Sequence, residues 1–203
     1  MKYIIGLGNP GKDYEATRHN AGRLFVEYLQ KQWGLPDFVE NKKWLASPRH
    51  GRARRGEQAL VTEGKPHFAP ASPRLRGASK ASRGKHEKLG AVTLLLPETM
   101  MNKSGAIFKN LGAKPKDVIT AHDDADILFG AFKISFDKRS AGHKGVESVT
   151  RALKTKAFWR VRIGIQRKKR VDAMKLVLQP FQPAEKKMLA NIFKEAEKRL
   201  ITI

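Results

Sequence analysis

Cysteine is missing from the 203 residues. Its absence excludes disulfides, thiolate zinc sites and a cysteine nucleophile. Long apolar runs are missing too. None approaches the roughly 18 residues that a membrane span needs, and the mean hydropathy is −0.50. The apolar stretch at Met1–Gly6 is too short for a secretory signal and runs straight into glycines. A cytoplasmic protein with no membrane partner is therefore expected. Carboxylates are scarce: Asp and Glu number 19 against 41 Lys and Arg, a net charge of +22. Such an excess favours a polyanion, because each phosphate contact releases condensed counterions. A GxSxG elbow is also lacking, which argues against a serine acyl-enzyme.

Apolar periodicity is present in alternating strand and helix patterns. Strands are expected at 2–7, 91–96, 117–121, 131–136 and 159–165, with Pro97 closing the second. Helices are expected near 20–33, 103–111, 145–154 and 183–200. This order predicts a single α/β domain over 1–203, with a mixed, mostly parallel central sheet flanked by helices. Residues 46–90 differ, being crowded with Pro, Gly, Ser and basic residues. They are expected to form a basic, flexible insertion in which Ala59-Leu60-Val61 supplies a short strand.

Gly6-Leu7-Gly8-Asn9-Pro10-Gly11 matches a dinucleotide fingerprint, GxGxxG after a strand. That mechanism needs a helix starting inside the motif to aim amides at a pyrophosphate. Here Asn9 precedes a proline and is pushed towards extended geometry, and the helical pattern begins only near Asn20. A nucleotide-dependent oxidoreductase therefore rests on the glycines alone.

A different constellation carries chemistry. Asn9, His19, Asn102 and Asp123 each fall on the C-terminal side of an expected strand. In an open α/β sheet those ends line one crevice. His19 can accept a proton near neutral pH. Asp123 can hold one ring nitrogen, fixing the tautomer and leaving the other nitrogen to pull on water. His122, His143, Asp123, Asp124 and Asp126 can be drawn as a metal cluster, but their spacing fits no zinc pattern, and no metal is expected.

These residues lie in blocks that resemble the bacterial-type peptidyl-tRNA hydrolases across nearly the whole chain apart from 46–90. The blocks are Gly6–Gly11, Tyr14, Thr17–Gly22, Met101–Gly105, His122–Asp126, Gly142–Gly145 and Arg162–Ile165. The resemblance implies hydrolysis of the ester between peptide and tRNA, with His19 as base and Asp123 as its partner. It implies that Asn9 and Asn102 hold the peptide backbone and scissile carbonyl, while Tyr14 and Met101 shape the cleft. Arg162, with Lys138 and Arg139 beside the cleft, would contact the tRNA acceptor stem. It further implies a monomer with tRNA as partner, no metal or organic cofactor, and a retained helix-plus-lid segment at 170–181, where Met174, Leu176, Val177 and Leu178 precede Pro180. The chain departs from the family where Lys144 replaces an asparagine and where Lys138, Arg139 and Ser140 stand in place of glycines. Lysine donates but cannot accept, so Lys144 can serve an oxyanion or carbonyl but not a peptide amide. A non-catalytic RNA-binding relative of the same fold is the alternative.

Overall fold

In the computed structural model, residues 1–40, 58–64, 90–109 and 111–203 are described. The first strand, β1 (Lys2–Gly6), is the axis of the sheet. Its Ile4 sits opposite Leu94 of β4 (Val92–Glu98) on one side and Ile119 of β5 (Val118–Leu128) on the other, both parallel. Beyond β5 lies β7 (Trp159–Gln166), also parallel. Antiparallel strands finish both edges: β3 (Gln58–Gly64) and the two-residue β2 (Val39–Glu40) beside β4, and β6 (Phe132–Phe136) beside β7. The order is β2-β3-β4-β1-β5-β7-β6. The mixed sheet with a parallel centre matches the sequence expectation.

Successive side chains along a strand point to opposite faces, so each strand feeds two cores. Ile4, Leu94, Ile119 and Val161 pack against α1 (Ala21–Gln32) and α4 (Pro183–Leu200) through Phe25, Leu29 and Phe193. Ile5, Leu95 and Val118 pack on the other face. There Val146 and Val149 of α2 (Lys144–Leu153) meet Ile107 and Phe108 from a 3-10 segment at Met101–Lys109. A short helix, α3 (Ala173–Val177), follows β7. Among the described residues no helix is long and apolar enough to cross a membrane.

Two expectations are corrected. Pro97 does not close β4, which runs on to Glu98. The β1 pairing ends at Leu95, so beyond that point only β3 faces the strand, and the missing proline N–H goes unclaimed on the β1 side. The β5 strand does not stop at Ala121 either. It extends to Leu128, pairing with β7 through Asp124 before an irregularity. The Ala59–Val61 strand is present as β3. The rest of the proposed 46–90 insertion lies outside the described residues, apart from Gly90.

Helix α1 approaches the sheet closely because Gly22 has no side chain. A Cβ there would lie far inside contact distance of the Ala121 carbonyl on β5. Gly22→Ala should therefore destabilise the fold by about 3 kcal/mol, through forced displacement in a packed core. Urea unfolding of the purified variant measures this; an unchanged midpoint would show that α1 and β5 are not in close register.

Candidate active site

His19 and Asp123 are 104 positions apart in the chain and meet directly. The His19 Nδ1 donates to Asp123 Oδ1 at 2.9 Å. The carboxylate is buried and the imidazole keeps 14 % of its side-chain surface, so its free Nε2 edge reaches the cleft. A second imidazole uses the same oxygen: His143 Nε2 lies 2.9 Å from Asp123 Oδ1. The other nitrogen of His143 accepts from the Val146 amide, capping α2. The hydrogen of His143 therefore sits on Nε2, pointing at Asp123. The rings of His19 and His143 are 4.9 Å apart, and His122 stacks edge-on to His143 at 4.7 Å. His122 donates from Nδ1 to the carbonyl of Asp123 at 2.7 Å, while its Nε2 is buried without a partner.

Burial works against protonating His19, yet the charge and hydrogen bond of Asp123 outweigh it, so the His19 pKa stands above its ordinary value. Burial pushes Asp123 upward, but His143 and His19 hold its carboxyl well below the usual carboxylate range. It remains an anion at any pH where the protein works. Wholly buried and pressed against His143, His122 is held well below its ordinary value and stays neutral.

The catalytic loop is fastened to the far end of the chain. Arg18, fully buried, places Nη2 between both oxygens of Glu185, 2.6 and 2.7 Å away. Its guanidinium lies 5.0 Å from the centre of the Phe181 ring. The Arg18 amide donates to Gln179 and the Phe181 amide to Ala16. These bonds tie the segment before His19 to the segment after α3. The cavity beside His19, about 350 Å³, is walled by Ala141 and by Met174, Val177 and Leu178 at α3. These lid residues were expected only as a segment at 170–181; an apolar run ending in Pro180 was the signal.

Of the other residues singled out in the sequence, Lys144 lines this cavity, 71 % exposed, with Nζ 3.6 Å from Glu147. Asn9 has a more structural placement than expected. Its Oδ1 accepts from the Met101 amide at 2.7 Å, and its backbone exchanges two bonds with the Asn20 side chain. Only its Nδ2 is left to donate. Met101 is buried beneath Gly145 and next to His143. Asn102 is exposed and Tyr14 half-buried, and neither lines the cavity. Arg162 is committed to Asp124 by a 2.7 Å bond from Nε, because cross-strand register sets β7 beside the strand that carries Asp123. Lys138 and Arg139 are exposed on the loop leading to Ala141. His143 was not expected as a site residue. Its signal was a histidine between glycines directly before a helix.

His19, Asp123 and His143 offer three ligand atoms within 4.8 Å of one another. A cation there would have to displace the hydrogen that each imidazole directs at Asp123. For His143 it would also have to leave Nδ1 accepting from Val146. The set therefore suits a hydrogen-bonded cluster rather than a metal centre.

Fold and site together define an α/β domain with a buried histidine–carboxylate pair beside an open cavity, next to the end of the central strand β1. Residues 3–203 match the family model described as peptidyl-tRNA hydrolase. A peptidyl-tRNA hydrolase of Aquifex aeolicus is 35 % identical over 206 residues, covering 99 % of this chain and 88 % of the relative. One from Mycobacterium sp. (strain KMS) is 35 % identical over 198 residues, covering 95 % and 85 %. The crystal structure of the Acinetobacter baumannii peptidyl-tRNA hydrolase superimposes with a TM-score of 0.71 at 25 % identity, covering 100 % of this chain and 88 % of that one. The chain belongs to the peptidyl-tRNA hydrolase family.

A base role for His19 requires its neutral form, so under that reading hydrolysis should rise with pH through the raised pKa of His19. Asp123→Asn removes the charge that raises this pKa and leaves burial, which lowers it. The rising limb of log kcat/KM should move to lower pH, and the plateau should fall about 100-fold or more. A pH–rate profile between pH 5 and 9 on an N-acylated aminoacyl-tRNA tests this. A limb that stays in place would separate Asp123 from the base.

Proposed function

We propose that this chain hydrolyses the ester joining a peptide to the 3′ end of tRNA, with His19 as general base. The observation that carries the reading is the 2.9 Å bond from His19 Nδ1 to the buried Asp123, which commits one nitrogen and leaves Nε2 at the cleft. Nε2 removes a proton from water as the oxygen attacks the ester carbonyl carbon. Asp123 stabilises the imidazolium that forms. The tetrahedral intermediate collapses by breaking the bond to the ribose oxygen, and the imidazolium returns its proton to that oxygen. An alkoxide leaves more readily than an amide nitrogen, so activated water suffices without a covalent nucleophile. Asn9 Nδ2 and the Lys144 ammonium are the donors assigned to the developing oxyanion and the peptide carbonyls. Met101, buried beneath Gly145, is assigned to supporting the floor of the cleft, while Asn102 and Tyr14 lie outside the cavity beside His19. Lys138, Arg139 and the free edge of Arg162 face RNA phosphates. The enzyme is proposed to act in the cytoplasm as a monomer, with tRNA as its partner and without a metal or cofactor.

His19→Ala should lower kcat/KM by about 10²- to 10⁴-fold, with unchanged affinity for deacylated tRNA and a lowered melting temperature, because the buried Asp123 loses one of its two imidazole donors. Parental turnover in that variant would leave an RNA-binding relative as the better description.

Lys144 separates two kinds of contact. Lys144→Met removes the donor and should lower kcat about tenfold, whereas Lys144→Asn keeps a donor and should stay within about threefold of the parent. Equal losses in the two variants would show that the ammonium charge, rather than hydrogen bonding, is the operative property.

A further inference from the structure

Between β7 and α3 the chain reads Arg167-Lys168-Lys169-Arg170, four consecutive cations, all exposed. The two outer residues are tethered. Arg167 donates to the Gln179 side chain at 3.1 Å, and Arg170 pairs with Asp126 at 3.0 Å. The two inner ones, Lys168 and Lys169, have no hydrogen bond or ion pair among the described residues.

The turn is held by a buried side chain rather than left loose. The amide of Gln166, 5 % exposed, closes it from beneath. Its Oε1 accepts from the Arg167 and Val171 amides, and its Nε2 donates to the carbonyls of Val171 and Ala125, each at 3.0 Å. All four of these bonds are internal to the turn or run to β5, two residues past Asp123. Lys168 and Lys169 are thus presented at a fixed position relative to the catalytic strand. Much of the ordering entropy of a phosphate contact is already spent on folding.

The turn also borders the cleft. A second cavity, lined by Gln166, Arg170, Val171 and Asp172, shares Ala125, Ala141 and Ala173 with the cavity beside His19. Ala141, which lines both cavities, follows Lys138 and Arg139 on its loop. Two carboxylates lie here. Asp126 is paired with Arg170, and Asp172 caps α3 by accepting from the Lys175 amide. Arg167, Lys168 and Lys169 outnumber the one remaining carboxylate, and among the described residues neither lysine pairs with it.

We propose that Lys168 and Lys169 form a preorganised clamp for phosphodiester groups of the RNA strand that carries the ester, lying at the lid end of the cleft. This rests on the reading of the chain as a peptidyl-tRNA hydrolase. The clamp adds affinity for RNA and takes no part in the bond-breaking steps. It belongs to KM rather than kcat.

The test compares the parent, Lys168→Ala/Lys169→Ala and Lys168→Arg/Lys169→Arg. Deacylated tRNA binding is followed by fluorescence anisotropy from 50 to 200 mM KCl, roughly the range over which phosphate contacts show their salt dependence. Hydrolysis is followed on an N-acetyl-aminoacyl-tRNA and on the same acyl group esterified to adenosine alone. The alanine pair should raise Kd and KM for tRNA about tenfold near 0.1 M salt. It should also flatten the log Kd–log salt slope by about one to two, as expected for the loss of up to two contacts. Its kcat and its rate on the adenosine ester should match the parent, and the arginine pair should restore binding. Unchanged Kd and slope in the alanine pair would overturn the clamp while leaving the enzyme assignment intact. So would an equal loss on the adenosine ester, which would locate the effect in the lid. A parent protein that neither binds tRNA nor cleaves either ester would remove both the clamp and the assignment beneath it.

Discussion

A carboxylate inside a sheet is costly to bury unless its lone pairs are met by donors, and the buried Asp123 is met from both layers of this fold. His19 arrives from the turn that opens α1, on one face of the sheet. His143 arrives from the residue that caps α2, on the other. One oxygen therefore couples two helix starts that share no other polar contact of this kind. Remove either donor and the remaining one must carry the anion alone. The two histidines are not equivalent, however. His143 spends its second nitrogen on the α2 amide and so is fixed as a donor to Asp123. His19 has no such commitment, and its Nε2 is the one basic nitrogen of the cluster that faces the cleft. This asymmetry is what supports the proposal of His19, rather than His143, as the base.

Much of this could be read from the sequence, for reasons that differ residue by residue. The strands were legible because buried β positions are apolar on both faces, and the C-terminal helix because its apolar face repeats over five turns. The His19–Asp123 pair was legible because His19 lies in the connection between β1 and α1, and Asp123 lies two residues past the point where β5 stops pairing with β1, places that topology brings together. His143 was not, because a histidine between glycines before a helix looks like a cap, and it is one; its second role needs the third dimension. The commitment of Asn9 to the Met101 amide could not be foreseen either, since an asparagine in a loop offers the same groups to a backbone as to a substrate. The full length of β5 was hidden because His122, Asp123 and Asp124 break the apolar run, although the backbone continues to pair with β7 beneath them.

The net charge of +22 overstates the surface available to RNA, and the structure shows where part of it goes. Arg18 is fully buried against Glu185 and Phe181, and Arg160 is buried over Phe158 at 4.2 Å. Arg23 is paired with Glu98 and Arg162 with Asp124. These arginines act as flat, hydrogen-bonding packing elements, and composition cannot separate them from the free lysines of the surface. The exposed cations nearest the cleft are Lys138 and Arg139, just ahead of the cavity-lining Ser140 and Ala141, and Lys168 and Lys169, between the cavity-lining Gln166 and Arg170.

The two sides of the site are built to different stiffness. The polar cluster sits on β5 and on helix starts whose bonds are buried. The apolar wall is carried by α3, five residues long. A helix of that length has no stability of its own. It is held by the Asp172 cap, by the buried Leu176 and by the hydrogen bonds that join residues 179–181 to residues 16–18. The last of these matter most, because they connect the wall to the segment that ends in His19. A wall that yields to peptides of different shape, while its far end stays bonded to the residue beside the base, can admit varied side chains without moving the imidazole.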